Sequence, residues 1–486
     1  MNKPIRTLSL FCLVLFLALL INVSYLQYFA AGDLNARSEN RRVVQAAFSR
    51  ERGAILVGRT PVAESVRSDD KYKWQRTYPQ PFKYAHVTGY FSYFSQTGIE
   101  RTQNSVLSGE DSRLFVNRLI DLIRDASPKG GHVELTLNAD AQDAAVEGLR
   151  GLGEGVRGAV VALDPSSGKV LAMASSPSFD PNKLASHDLG AAQQATEQLY
   201  ADPNQPLLNR AVQTTLPPGS TFKLVTAAAA IESGKYNATS EVPGGKTFDL
   251  PQSSDTIGNH DGGDCGGDRI TLTQALQVSC NVTFLSLADE LGAEKMRAMA
   301  EAFGFNAQPM TDLPAVATSR YPDDMDAPST AMSGIGQASV TASPLQMAMV
   351  VSAIANGGHL MRPYLVSSVQ SPDYAVLDQT REEELSQPIS SGTARELTDM
   401  MVATVDAGTA VNAQIPGIKV AGKTGTAQST PDRPPYAWFV SFAPADDPVV
   451  AVAVMVESSS YPREEIAGGR LGAPIAKRVM EAVIGP

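Results

Sequence analysis

The chain has 486 residues, 43% hydrophobic and 19% charged, with a formal net charge of −11. That length supports two or three domains with full cores, and the composition is that of an ordinary globular protein. An acidic chain without a basic stripe excludes a nucleic-acid binder, and neither a short repeat nor a long low-complexity tract is present.

The first predicted element is a membrane anchor. Lys3 and Arg6 precede an apolar run, and no formal charge occurs from Leu8 to Phe29. As a helix, that stretch is long enough to cross a bilayer. Its polar members Ser9, Asn22, Ser24 and Gln27 gather mostly at the far end, where tyrosines suit an interface. A cleaved signal peptide is the alternative, because YFAAG offers small residues, but the apolar run is long for one. Positive charge ahead of the span puts the N-terminus in the cytoplasm, against the opposing pull of Arg37, Arg41 and Arg42. The expectation is a single-pass plasma-membrane protein. Residues 1–32 are its cytoplasmic tip and transmembrane helix, and the rest is extracytoplasmic.

Residues 33–130 form the second expected unit, a small α+β pedestal. Asp33 to Arg52 is polar and charged, with helical character near its start. RLFVNRLIDLIRDA (Arg113–Ala126) reads as an amphipathic helix, with Leu114, Leu119, Leu122 and Ile123 at helical spacing. ASPKGGH then punctuates the chain and sets the boundary.

Residues 131–486 form the third unit. Val133, Leu135 and Leu137 alternate in a short strand that hands over to a helix. GAVVALD (Gly158–Asp164) and KVLAMAS (Lys169–Ser175) flank the turn PSSG and read as a hairpin. In PPGSTFKL (Pro217–Leu224) a Pro-Pro-Gly turn gives way to an apolar helix at Ser220, with Lys223 on the same face. Taken alone, the pair is a helix cap beside a lysine, and Ser-x-x-Lys recurs at Ser68–Lys71 and Ser166–Lys169. Only Ser220 opens a long apolar helical pattern. Apolar packing strips hydration from Lys223 and lowers its pKa, so a neutral amine can take a proton from Ser220. The N-terminus of a helix favours a developing oxyanion beside it.

Cys12 lies in the anchor, which leaves Cys265 and Cys280 as an even pair. Outside the cytoplasm they can form a disulfide closing a loop of roughly 15 residues, a contribution of around 3 kcal/mol. Two separate buried thiols are the alternative. None of the five histidines has a metal-site companion. His260, between Asn259 and Asp261 in a Gly/Asp-rich loop, reads as part of exposed turns, and no metal or other cofactor is expected.

A further helix begins near Leu272, with Thr271 and Gln274 in capping-box positions. PLQMAMVVSAIANGG (Pro344–Gly358) is another, with proline in its first turn and glycines at its end. GIKVAGKTGTAQ, YAWFVSFAP and PVVAVAVMVES are strand candidates, and a last helix runs from about Pro474 to Val483. Two strands before the helical block and three after it predict an α/β (α+β) fold. Its centre is a five-stranded antiparallel sheet with helices on its faces.

Two more short patterns complete a set. Ser279-Cys280-Asn281 stands at the far end of the capped helix, and Lys423-Thr424-Gly425-Thr426 lies within a strand. Each is common alone, and Ser38–Asn40 also fits Ser-x-Asn. The specific feature is the ordered combination of SxxK at a helix start, SxN, and KTG on a strand, which occurs in penicillin-binding proteins and serine β-lactamases. The chain resembles a class B penicillin-binding protein, a membrane-anchored peptidoglycan transpeptidase, over nearly its whole length. The resemblance runs through GAVVALDPSSGKVLAMAS, LLNRAVQTTLPPGSTFK, SCNVTF, GIGQASVTASPLQMAMVVSAIANGG and VAGKTGTAQ. In the pedestal it runs through RGAIL (Arg52–Leu56), AHVTGY (Ala85–Tyr90) and GIERTQNSVLSG (Gly98–Gly109). The Arg-Gly-x-Ile element lacks the usual Asp-Arg-Asn-Gly continuation, and this compactness most resembles the actinobacterial penicillin-binding protein A, implicated in septum formation.

The resemblance implies roles. Ser220 is the nucleophile on the D-Ala-D-Ala carbonyl of a stem peptide, and Lys223 takes its proton. The N–H groups of Ser220 and Thr426 form the oxyanion hole. Ser279 relays a proton to the leaving D-alanine, and Asn281 orients Lys223 and bonds the substrate amide. Lys423 keeps Lys223 neutral and attracts the substrate carboxylate, which Thr424 and Thr426 hold. Gly425, without a side chain, lets substrate lie along the strand edge. The implied partners are peptidoglycan stem peptides and their lipid-linked precursor, β-lactams, a polytopic membrane glycan polymerase and division proteins. A D,D-carboxypeptidase or β-lactamase-like hydrolase of the same fold is a rival, although no Glu-x-x-Leu-Asn stretch lies between Asn281 and Lys423. A non-catalytic β-lactam sensor or divisome scaffold is another. Roughly 100 residues before the boundary are short for a glycosyltransferase domain, and no matching catalytic glutamate motif is present.

Overall fold

The computed structural model describes residues 2–30, 48–115, 119, 123, 129–427 and 434–485. The helical start expected in 33–52 and most of the helix expected over 113–126 lie outside them. Helix α1 (Asn2–Tyr28) contains the apolar stretch Lys3–Tyr28, whose mean hydropathy reaches 2.4, and that stretch is exposed along its length. A long apolar helix that is exposed among the described residues suits lipid rather than water.

Past residue 48 come strands β1 (Ile55–Val57), β2 (Thr60–Arg67) and β3 (Trp74–Thr77), then β4 (His132–Leu135) and helix α2 (Ala139–Arg150). Asn138 starts α2 by accepting from the N–H groups of Asp140 and Ala141. The hairpin β5 (Arg157–Leu163) and β6 (Val170–Ser176) follows. The helical block contains α3 (Lys223–Glu232), α4 (Leu272–Gln277), α5 (Asn281–Ala302) and α6 (Pro344–Ala355). Strands β7 (Val366–Gln370) and β8 (Val376–Gln379) precede α7 (Ser391–Ala407). The chain then runs through β9 (Ala421–Ala427), β10 (Tyr436–Ala443), β11 (Val450–Ser458) and α8 (Ala473–Ile484).

The central sheet has the order β9-β10-β11-β5-β6 and is antiparallel throughout. Period-two alternation feeds two cores. Val160 and Ala162 of β5 pack with Ala141, Ala145 and Leu149 of α2 and with Ile475 and Val479 of α8. Ala159 and Val161 point the other way, into the core that contains α3, α5 and α6. With both faces covered, β10 and β11 read as almost continuous apolar runs rather than alternating ones.

A second sheet has the order β8-β7-β4-β1-β2-β3. It draws strands from both sides of residue 130. The strand built on Val133 and Leu135 runs parallel to β1 and antiparallel to β7. Such pairing joins residues 78 positions apart on one side (Ile55 with Val133) and 236 on the other (Val133 with Val369), and leaves no local trace in the sequence. Glu100 is fully buried and bonds to Arg76 of β3. It accepts from Arg52 Nη2 at 2.8 Å, Arg76 Nε at 2.5 Å and Tyr78 Oη at 3.1 Å. Arg52 begins RGAIL and Glu100 lies in GIERT, so this ion network is what those two segments build.

Candidate active site

Gly219–Phe222 forms a single 3-10 turn, and the α-helix proper starts only at Lys223. Ser220 therefore sits in the tight turn ahead of α3 rather than in its first α-helical turn. Gly219 adopts φ +55°, and a β-carbon there would come within 3.0 Å of Ala427. The serine turn is thus pressed against β9, which has no room for a larger residue.

Lys223 is fully buried. Its Nζ donates to the Ser279 carbonyl oxygen at 2.7 Å and to Asn281 Oδ1 at 2.8 Å, and lies 3.3 Å from Ser279 Oγ. Among the described residues none of its hydrogen bonds goes to Ser220. Ser279 has φ +61°, a conformation that costs a non-glycine residue free energy. That left-handed turn, between the end of α4 and the start of α5, turns its carbonyl to Lys223 and its hydroxyl to both lysines. Lys423 is also fully buried, and its Nζ donates to Ser279 Oγ at 2.8 Å and to the Thr424 carbonyl at 2.9 Å.

Burial pushes the Lys223 amine well below the usual lysine range, and the neighbouring Lys423 charge pushes it further down. Burial alone lowers Lys423 to about 7. Two buried amines, both lowered and both bonded to one hydroxyl, mark this cluster as a candidate for proton transfer.

Ser220, Ser279, Asn281, Thr424 and Thr426 line one cavity of about 1000 Å³. Gly425 has a packing reason to lack a side chain. A β-carbon there would lie 2.9 Å from Thr221 Cγ2, 3.1 Å from the Pro218 carbonyl oxygen and 3.1 Å from Trp438 Cβ. Its missing side chain lets the serine turn approach the strand.

Cys265 and Cys280 are joined by a disulfide. The bond ties the Gly/Asp-rich loop to the residue between Ser279 and Asn281, and that loop forms a wall of the cavity through Asn259, His260, Asp261 and Asp264. The exposed-turn reading of this segment missed that position. The capping box at α4 is half formed: Thr271 Oγ1 accepts from Gln274 N at 3.1 Å, but the Gln274 amide donates to the Cys265 carbonyl instead of returning to Thr271. Among the described residues no group of three or more His, Cys, Asp or Glu side chains is placed to hold a metal ion.

Sequence reasoning also missed Thr409 and Asn412, which follow α7. Thr409 Oγ1 lies 2.7 Å from Thr424 Oγ1, and Asn412 Nδ2 donates to the Gly469 carbonyl at 2.8 Å. Both line the cavity. Their positions depend on how α7 packs, for which no short pattern exists.

The geometry has counterparts. Residues 158–481 match the penicillin binding protein transpeptidase domain, and residues 52–133 match the penicillin binding protein A dimerisation domain. The chain is 43% identical to the peptidoglycan D,D-transpeptidase PbpA of Mycolicibacterium smegmatis, covering 100% of this chain and 99% of that one. It is 41% identical to PbpA of Mycobacterium tuberculosis, again over 100% of this chain and 99% of the relative. Penicillin-binding protein A from M. tuberculosis, solved as a ceftriaxone acyl-enzyme complex, is 40% identical with a TM-score of 0.86, covering 91% of this chain and 100% of that one. By fold, full-length similarity and the ordered set of motifs in one cavity, the chain belongs to the class B penicillin-binding proteins.

Proposed function

We propose that the chain is a serine D,D-transpeptidase that cross-links peptidoglycan stem peptides, with Ser220 as nucleophile. The observation that carries this reading is Ser279 Oγ held between two buried lysine amines, in the same cavity as Ser220.

Ser220 Oγ attacks the carbonyl carbon of the penultimate D-alanine and gives its proton to neutral Lys223. The N–H groups of Ser220 and Thr426 stabilise the oxyanion. The proton passes through Ser279 to the nitrogen of the leaving D-alanine as the peptide bond breaks, which leaves an ester on Ser220. The amine of a second stem peptide then attacks that ester, forms the cross-link and returns the serine hydroxyl. Lys423, Thr424 and Thr426 form a cationic, hydroxyl-rich end for the donor carboxylate. A β-lactam opens on Ser220 to an analogous ester and stays there.

Helix α1 anchors the chain in the plasma membrane, with the catalytic unit outside. The basic residues ahead of the span and the disulfide in the far domain support that topology. The second sheet serves as a pedestal, and a polytopic glycan polymerase and division proteins are the partners that the family resemblance implies. Full-length chain given a donor ending in D-Ala-D-Ala and an amine acceptor is expected to yield cross-linked peptide and free D-alanine. Hydrolysed donor without cross-linked product would replace this reading by a carboxypeptidase.

A further inference from the structure

The Gly/Asp-rich loop contributes more than a wall. Helix α5 begins at Asn281, and its first N–H groups need acceptors from outside the helix. The residue before it, Cys280, gives no capping hydrogen bond, because its sulfur is in the disulfide with Cys265. The acceptor comes from 22 positions earlier. Asn259 Oδ1 accepts from Asn281 N at 2.9 Å and from Val282 N at 3.2 Å. On its other side, Asn259 Nδ2 donates to the carbonyls of Gly245 and Gly263, both at 2.9 Å. Two N–H donors on one side and two carbonyls on the other fix the orientation of the amide, and its hydrogen-bonding capacity is filled. The neighbouring carbonyl, of Gly258, accepts from Asn281 Nδ2 at 3.0 Å. That bond leaves Asn281 Oδ1 facing Lys223 Nζ at 2.8 Å.

We infer that Asn259 is a positioning residue for the acyl-transfer reaction: it caps α5 at a distance and, with the Gly258 carbonyl, sets the amide of Asn281 that aims the Lys223 amine. The inference rests on the reading of Ser220 as nucleophile and Lys223 as its base. A fully satisfied polar network specifies one arrangement, whereas a partly satisfied one admits several. Loss of the cap frees the start of α5, and the base loses its alignment while the substrate pocket remains.

The test is the rate of Ser220 acylation by benzylpenicillin in full-length chain, resolved into the dissociation constant and the first-order acylation constant, for Asn259→Ala and Asn259→Asp. The alanine variant is expected to lose about 10²-fold in the first-order constant, the penalty typical of a misplaced catalytic group, with the dissociation constant little changed. Asn259→Asp keeps the oxygen that receives the N–H groups of Asn281 and Val282 but sets its second oxygen against the Gly245 and Gly263 carbonyls, and is expected to recover roughly tenfold over alanine, short of wild type, because the cap on α5 is retained. It also carries the test if the alanine variant does not fold. An alanine variant as fast as wild type, a loss confined to the dissociation constant, or an aspartate variant with a first-order constant more than roughly 10²-fold below wild type would overturn the inference. Wild-type chain that fails to acylate on Ser220 would overturn the functional reading instead.

Discussion

Lys423 Nζ lies 2.8 Å from Ser279 Oγ, and the same hydroxyl is 3.3 Å from Lys223 Nζ. One hydroxyl thus joins two buried amines whose charges oppose each other. The Lys223 amine, held low by burial and then by Lys423, must be neutral to act, while Lys423, lowered to about 7, must be charged to attract a carboxylate. Acylation therefore rises with pH as Lys223 loses its proton and falls as Lys423 loses its own near 7, with both limbs belonging to the coupled pair. In Lys423→Met the repulsion is gone, so the Lys223 pKa rises and the acid limb moves to higher pH. A pH profile of penicillin acylation for the two proteins checks this, and an acid limb that stays in place would contradict it.

Gly425→Ala would press a methyl group against Thr221 and the Pro218 carbonyl. Overpacking of this kind costs about 1–3 kcal/mol, and the displaced serine turn slows acylation about 10²-fold. Denaturant midpoints and acylation rates measured together should both fall. Unchanged acylation would mean that the strand and the serine turn move independently.

The disulfide joins residues 15 apart in the sequence. Its reduction is expected to cost about 3 kcal/mol, by the loop-entropy relation. It should also slow acylation, because the loop that holds Asn259 is no longer tied to Cys280. Unfolding curves with and without dithiothreitol measure the first effect, and a midpoint that does not move on full reduction would contradict it.

In the pedestal, Glu100→Ala would leave Arg52 and Arg76 buried without their counter-charge. Removal of one partner from such a network costs about 3–5 kcal/mol. This network joins Arg76 of β3 to Arg52 and Glu100, far in sequence from Ser220, so the loss should appear in thermal unfolding. The acylation rate of the folded fraction should stay near the wild-type value, and an equal loss in both would tie the pedestal to the chemistry.

What was legible in the sequence was local. Alternation in GAVVALD and the apolar run of PVVAVAVMVES mark strands because each side chain reports its own burial. SxxK, SxN and KTG are short because each occupies one turn or one strand edge. The residues that hold these pieces against each other were not legible. Asn259 reads as a loop residue, Thr409 falls in no short pattern, and Val133 and Leu135 read as the start of the third unit rather than a bridge to β1 and β7. Each acts through a partner distant in sequence, and no periodicity encodes that. At Ser220 the pattern predicts the start of an α-helix, whereas the structure holds a 3-10 turn whose Gly219 lies against Ala427, a residue distant in sequence.

The most direct measurement is a mass time course of the full-length chain in detergent with benzylpenicillin, followed by digestion to locate the adduct. One penicilloyl group is expected on the peptide that contains Ser220, long-lived and absent from Ser220→Ala, whose folding should stay within about 0.5 kcal/mol of wild type. An adduct on any other residue, or labelling that persists in Ser220→Ala, would contradict the assignment of the nucleophile and the mechanism built on it.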